Sequence, residues 1–331
     1  MIREWRTVTA HLLTGFLGSG KTSLLRRLLA LPDLAGTAVL INEFGEVGLD
    51  HLLVEAVDGQ MVLLKSGCVC CSIRGDLRDG LERLHARMES GAIPVFARVV
   101  IETTGLADPV PIVAGFTKDP ALRWHFRLGK VVTVVDAVNG LANLDRFPEA
   151  VRQAVLADRL VVSKTDLADP EPLVRRLRAL NPTAMLDLST EAPAALLLED
   201  GPDRADGLAG LAGMADDRHD HHPSGPRTFC LTAEAPLDWA AFGLWLSLLL
   251  HAHGAAILRV KGVLRVAGVD RPVVVQGVQH LVHMPLHLAA WPEGEPRTRL
   301  VVIGVGLDRG AIERSFRAFC GQGRSAAGGE G

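Results

Sequence analysis

Residues 15–22 read Gly-Phe-Leu-Gly-Ser-Gly-Lys-Thr, and no other stretch restricts the fold of this chain so tightly. The run satisfies G-x-x-x-x-G-K-[ST], follows an apolar segment at 7–14 and opens a helical pattern at 21–30. A glycine-rich turn between a strand and a helix lets backbone N–H groups close around phosphate oxygens, and the helix N-terminus adds partial positive charge. Lys21 is expected to reach the β- and γ-phosphates, and Thr22 to bind Mg²⁺. The phosphate-binding set is Gly15, Gly18, Ser19, Gly20, Lys21, Thr22 and Ser23. It implies a nucleotide-hydrolysing site on an α/β scaffold.

The pattern that follows agrees with such a scaffold. Short runs rich in Val, Ile and Leu fall at 7–14, 38–43, 61–65, 98–102, 130–136, 160–163 and 184–188. Nearly uncharged runs of this length suit strands buried on both faces of a parallel sheet. Helical patterns lie between them at 21–30, 77–88, 148–157 and 171–180. The alternation predicts a doubly wound, mainly parallel sheet over residues 1–190. Residues 191–226 are rich in Ala, Gly, Asp and Pro and read as a flexible acidic and histidine-bearing linker. Residues 227–320 predict a smaller α+β domain with helices on one face. Its strands are expected at 228–232, 256–266, 272–276, 279–285 and 300–305, with helices at 239–251 and 309–319. The tail, 321–331, is expected to be disordered.

Three further stretches carry chemistry. The strand at 98–102 ends in Glu102-Thr103-Thr104-Gly105, where Glu102 can organise Mg²⁺ and the Gly105 N–H can meet a γ-phosphate. The second strand runs into Asn42-Glu43-Phe44-Gly45-Glu46, and polar groups at strand carboxyl ends face the ligand crevice. Glu43 or Glu46 is a candidate for Mg²⁺, an attacking water or a second metal, against the plainer reading of a solvated turn. The strand at 160–163 runs into Ser163-Lys164-Thr165-Asp166, where GTPases carry Asn-Lys-x-Asp. A carboxylate there accepts from N1–H and the 2-amino group of guanine, which adenine does not offer in that arrangement. Asp166, with the Lys164 stem along the base, therefore favours GTP over ATP, with Ser163 in place of Asn.

Cys68, Cys70 and Cys71 place three of the five cysteines within four residues. An odd, clustered set does not describe a disulfide framework; it is a soft-donor set suited to Zn²⁺ and related ions. A fourth donor from Glu46, a histidine or water would complete it, while a thiol redox pair stays open. His219, His221 and His222 in the linker read equally as a weak metal-capture site or as solvated residues. A net charge of −3 gives no argument for nucleic acid or a membrane surface, and no apolar run reaches membrane-spanning length. The N-terminus resembles neither a signal nor a transit peptide, so a cytoplasmic protein is expected.

Taken in order, Gly-Phe-Leu-Gly-Ser-Gly-Lys-Thr, Asn-Glu-Phe-Gly-Glu, Cys-x-Cys-Cys, Glu-Thr-Thr-Gly-Leu-Ala-Asp-Pro and Ser-Lys-Thr-Asp resemble the CobW-type metallochaperone GTPases, in particular their YjiA-like members. The likeness continues through residues 257–262, 276–278 and 299–304, so it covers nearly the whole chain. It implies a GTPase related to nickel-insertion GTPases, using GTP and Mg²⁺. It also implies a transition metal (Zn²⁺, or Co²⁺ or Ni²⁺) on Cys68, Cys70 and Cys71 with Glu46, and delivery to an unidentified client metalloprotein. Such members can carry an acidic ligand just before the Asn; Ile41 stands there, so a site built on that position is not expected. The alternatives are a metal-buffering protein with little GTP turnover and a thiol redox switch. A metal- or nucleotide-dependent homodimer is left open.

Overall fold

A computed structural model of the chain describes residues 7–42, 54–57, 61–66, 73–189, 225–292 and 296–320. The chain divides into two compact units, Met1–Arg178 with Ala184–Asp200 and Ala179–Thr183 with Gly201–Gly331.

The first unit is built on an eight-stranded sheet. Its strands are β1 (Val8–Thr14), β2 (Thr37–Asn42), β3 (Val54–Val57), β4 (Met61–Ser66), β5 (Arg98–Glu102), β6 (Phe126–Asp136), β7 (Arg159–Ser163) and β8 (Met185–Leu188). They lie in the order β3-β4-β2-β5-β1-β6-β7-β8. All neighbours are parallel except β3, which runs antiparallel to β4. The helices are α1 (Lys21–Leu29), α2 (Ile73–Glu89), α3 (Pro109–Lys118), α4 (Pro120–His125), α5 (Gly140–Arg146), α6 (Pro148–Leu156) and α7 (Glu171–Leu180). Alternation along β6 shows why both sheet faces are covered. Val132 and Val134 join Leu24, Leu25 and Leu28 of α1 in one buried cluster, while Thr133, between them, donates its hydroxyl to the Gln153 carbonyl of α6 at 2.8 Å. The doubly wound, mainly parallel sheet expected from the sequence is present.

Several details differ from the sequence expectation. No strand was expected at β3, whose four residues pair only with β4 at the sheet edge. β6 begins at Phe126, not at residue 130. Its early part holds a bulge against β1, where the register shifts between Ala10 and Leu12. There a Cβ on Gly129 would lie 2.6 Å from the His11 ring, so the strand passes the histidine only as glycine. Helices α3, α4 and α5 lie outside the sequence expectation, although the first two have a local signature: Asp then Pro. Asp108 accepts from the Val110 N–H at 2.9 Å and Asp119 from the Ala121 N–H at 2.9 Å, with Pro109 and Pro120 in the first turn.

The second unit holds β9 (Pro226–Ala233), α8 (Trp239–His253), β10 (Ile257–Leu264), β11 (Val273–Val278), β12 (Leu281–Val282), β13 (Leu286–His287), β14 (Thr298–Val305) and α9 (Arg309–Cys320). The sheet is antiparallel, in the order β12-β11-β10-β14-β9, with β13 also on β11. Phe242, Trp245 and Leu249 of α8 and Ile312 and Phe316 of α9 pack with Phe229, Leu231, Val260, Val275, Leu300 and Val302. Those strand residues alternate along their strands, so both helices lie on one face. Two expectations are corrected. The strand expected at 279–285 is reduced to β12, because Gln279 sits at φ 52° in a turn and Pro285, with no N–H to continue pairing, separates β12 from β13. Pro226 is already strand rather than linker; it opens an edge strand, where a missing N–H costs nothing.

Candidate functional site

β1 is the pivot of the first sheet. It lies between β5 and β6, and the chain leaves its carboxyl end into residues 15–20. Gly15, Gly18 and Gly20 take φ of 143°, 70° and 95°, which side chains resist. Gly15 is required twice over, since a Cβ there would lie 2.2 Å from the Val134 carbonyl oxygen. Gly20 caps α1 with no side-chain acceptor, so the first N–H groups of the helix remain for an anion.

Lys21 is buried and turns its ammonium back over the loop, donating to the Gly15 carbonyl at 2.9 Å and the Phe16 carbonyl at 3.2 Å. Burial holds its pKa below the ordinary lysine value, and the Glu102 carboxylate opposes that shift. Ser19 Oγ is buried with no hydrogen-bond partner among the described residues, as is Thr104 Oγ1. Orphaned polar atoms on a cradle of N–H groups suit a polyoxygenated ligand.

The β5 end completes the phosphate side. Glu102 stands beside Leu13 of β1 in the parallel register, and Thr22 Oγ1 donates to Glu102 Oε1 at 2.7 Å. Thr22 is exposed and Glu102 is buried, so the pair offers hard oxygen donors at the mouth of the loop, the kind Mg²⁺ accepts. Gly105 approaches the loop so closely that a Cβ would lie 2.6 Å from the Leu17 nitrogen. Gln153 of α6 fixes this turn: its Nε2 donates to the Gly105 carbonyl at 3.1 Å and the Ala107 carbonyl at 3.0 Å. Sequence reasoning missed Gln153; its only signal was an amide within an otherwise amphipathic helix.

The β7 end supplies the other wall. Ser163 Oγ donates to the Ser19 carbonyl at 2.6 Å, tying the end of β7 to the phosphate loop. A short hydroxyl can do this because the loop is close: a Cβ on Gly20 would lie 3.7 Å from Ser163 Oγ. This gives Ser163 a physical role where GTPases carry Asn. Lys164 follows at φ 56°, and its Nζ lies 3.3 Å from Asp136 Oδ2. Asp136 in turn accepts from the Asn139 N–H at 2.6 Å. Asp166 is exposed on the turn closed by the Leu167 N–H to the Lys164 carbonyl, 3.1 Å. The Phe16 and Phe147 rings stack at 4.6 Å, pinning the loop to the start of α6.

Residues 15–22, Glu102, Gly105, Ser163 and Lys164 thus converge at one carboxyl edge. β2 and β4 end there as well, at Asn42 and Ser66, which are paired in register. Glu43, Glu46, Cys68, Cys70, Cys71, His219, His221 and His222 lie outside the described residues.

Residues 9–186 match the family described as CobW/HypB/UreG, nucleotide-binding domain. This chain belongs to that family. Residues 227–320 match the cobalamin synthesis protein cobW C-terminal domain, so both CobW-type modules are present. The zinc chaperone YjiA of Escherichia coli is 32% identical over 312 residues, covering 93% of this chain and 98% of that protein. The zinc chaperone CobW of a Sinorhizobium species is 30% identical over 352 residues, covering 94% and 97%. The crystal structure of Zn(II)-bound YjiA GTPase from E. coli superimposes with a TM-score of 0.72 at 28% identity, covering 95% of this chain and 99% of that one. This CobW-family chain is a P-loop GTPase. No helix among the described residues is long and apolar enough to cross a membrane.

Proposed function

We propose that this chain is a Mg²⁺-dependent GTPase that binds a transition metal, Zn²⁺ first, at Cys68, Cys70 and Cys71 with Glu46, and passes it to a client metalloprotein in the cytoplasm. The observation that carries the reading is shared origin. The phosphate loop leaves β1, Glu102 ends β5, and the segments holding Glu43, Glu46 and the three cysteines leave β2 and β4 at the same sheet edge. Relatives named zinc chaperones, and a Zn(II)-bound structure among them, support zinc as the cargo.

In this reading the N–H groups around Gly18, Ser19, Gly20, Thr22 and Ser23 hold the phosphates and position the triphosphate. Lys21 leaves the Gly15 and Phe16 carbonyls for the β- and γ-phosphate oxygens, so its burial penalty is relieved by closer negative charge. Thr22, backed by Glu102, would hold Mg²⁺, which spreads the charge developing between the β- and γ-phosphates. The Gly105 N–H meets the γ-phosphate, and Glu43 orients the water that adds to the γ-phosphorus as the bond to the bridging oxygen breaks. Asp166 selects guanine, with Lys164 along the base. Loss of the γ-phosphate reorders the β2 and β4 loops, which lowers metal affinity and releases the ion.

Coupling of this kind is reciprocal: GTP tightens metal as much as metal tightens GTP. Zn²⁺ affinity measured against a chromophoric chelator should be higher with a non-hydrolysable GTP analogue than with GDP. Equal affinities in the two states would overturn the chaperone mechanism.

A further inference from the structure

Away from the nucleotide edge, the last turns of α2 lie beside α4. His85 and Glu89 are four residues apart on α2 and therefore share a face, and His125 ends α4. The His85 and His125 rings meet with centroids 4.0 Å apart, tilted by 42°. His85 Nδ1 lies 3.6 Å from Glu89 Oε1, too long for a good hydrogen bond. One ligand atom from each of the three residues lies within 4.8 Å of the other two. His85 is buried, His125 half-buried and Glu89 exposed, so the group is anchored on one side and open on the other.

Two imidazoles in contact cannot both hold a proton without repulsion. Burial, reinforced by His125, holds the His85 pKa below its ordinary value, although Glu89 pulls the other way. The neutral ring is the metal-binding form. Two imidazoles and one carboxylate make a three-ligand set that leaves a fourth position for water, as in known zinc sites. A tetrahedral site needs ligand atoms about 3.3 Å apart, so no pair has to close by more than about 1.5 Å, and the exposed Glu89 can change rotamer to help.

We propose that His85, Glu89 and His125 form a second site for a divalent transition-metal ion of borderline softness, such as Zn²⁺, which clamps α2 to α4. Histidine and carboxylate together favour such an ion over Mg²⁺ or Ca²⁺. The site is separate from the cysteine loop. It shares no residue with that loop, and His85 lies about 18 Å along α2 from Ile73, where the helix begins. It does not depend on the cysteines holding metal or on any effect of GTP.

The test uses the full chain carrying Cys68→Ser, Cys70→Ser, Cys71→Ser, His219→Ala, His221→Ala and His222→Ala, titrated with Zn²⁺ by equilibrium dialysis. We expect one bound equivalent to remain. Glu89→Ala in that background should weaken it at least about tenfold, and His125→Ala should abolish it. Co²⁺ in place of Zn²⁺ should show tetrahedral d–d bands without thiolate charge transfer, lost with His125→Ala. Glu89 is exposed, so its variant keeps the test valid should His125→Ala fold poorly. The proposal is overturned if the background chain retains no zinc, or if Glu89→Ala and His125→Ala leave affinity and stoichiometry unchanged. Failure of the cysteine site, or of GTP coupling, alters none of these readings.

Discussion

Ser163→Ala tests whether a serine can hold a GTPase phosphate loop from the β7 side. The substitution deletes one hydroxyl, whose 2.6 Å bond reaches the Ser19 carbonyl across the loop. Ser163 is buried, so no bulk water replaces the donor freely. Loss of such a bond costs about 1–2 kcal/mol. In a unit the size of the one that holds it, Met1–Arg178 with Ala184–Asp200, that lowers the melting temperature by about 2–8 °C without nucleotide. The same loosening should weaken binding of a GTP analogue by up to about tenfold, since 1.4 kcal/mol corresponds to one decade. The preference for guanine over adenine nucleotide should persist, because Ser163 contacts the loop and not a base. Differential scanning calorimetry and fluorescent-nucleotide titration read the two arms. Unchanged melting and unchanged affinity would refute the tie. Collapse of guanine preference with melting unchanged would show that Ser163 reads the base instead.

Two other substitutions probe features of comparable sharpness. Gly105→Ala pushes a Cβ to 2.6 Å from the Leu17 nitrogen, where only backbone can yield. A stability loss of about 1–3 kcal/mol and a fall in GTP turnover of about tenfold or more are expected by chemical denaturation and phosphate release; wild-type turnover would mean the loop accommodates the methyl group. In the second unit, burial pushes the Cys320 thiol up to about 11, with Asp238 adding to the shift. The unfolded chain ionises first, near the ordinary 9.0, so this contribution to stability is full below that pH and is lost as the pH rises through about 11. Native chain treated with iodoacetamide near neutral pH should spare Cys320 by peptide mass spectrometry, and Cys320→Ala should flatten the alkaline loss; rapid native labelling would contradict the burial.

Much of the nucleotide side was legible because local chemistry dictates it. Gly15, Gly18 and Gly20 announce left-handed backbone, Lys21 and Thr22 follow at fixed spacing, and Glu102 closes an apolar run. Elements that depend on partners were less legible. β3 exists only through β4, the start of β6 depends on a bulge around His11, and within 279–285 only Leu281 and Val282 find partners on β11. α3 and α4 were legible in part, through their Asp-Pro starts.

The sequence by itself determined the α/β class, the phosphate loop and the family, since each rests on residue types at short, fixed separations. Only the tertiary structure decided what meets across the chain. Ser163 reaches Ser19, Gln153 holds Gly105, and His85 lies against His125 through the packing of two helices. The physical reason is the same in each case. A backbone conformation is encoded within a few residues, whereas a hydrogen bond or a ligand set between distant segments exists only after the sheet has ordered its strands and the helices have packed.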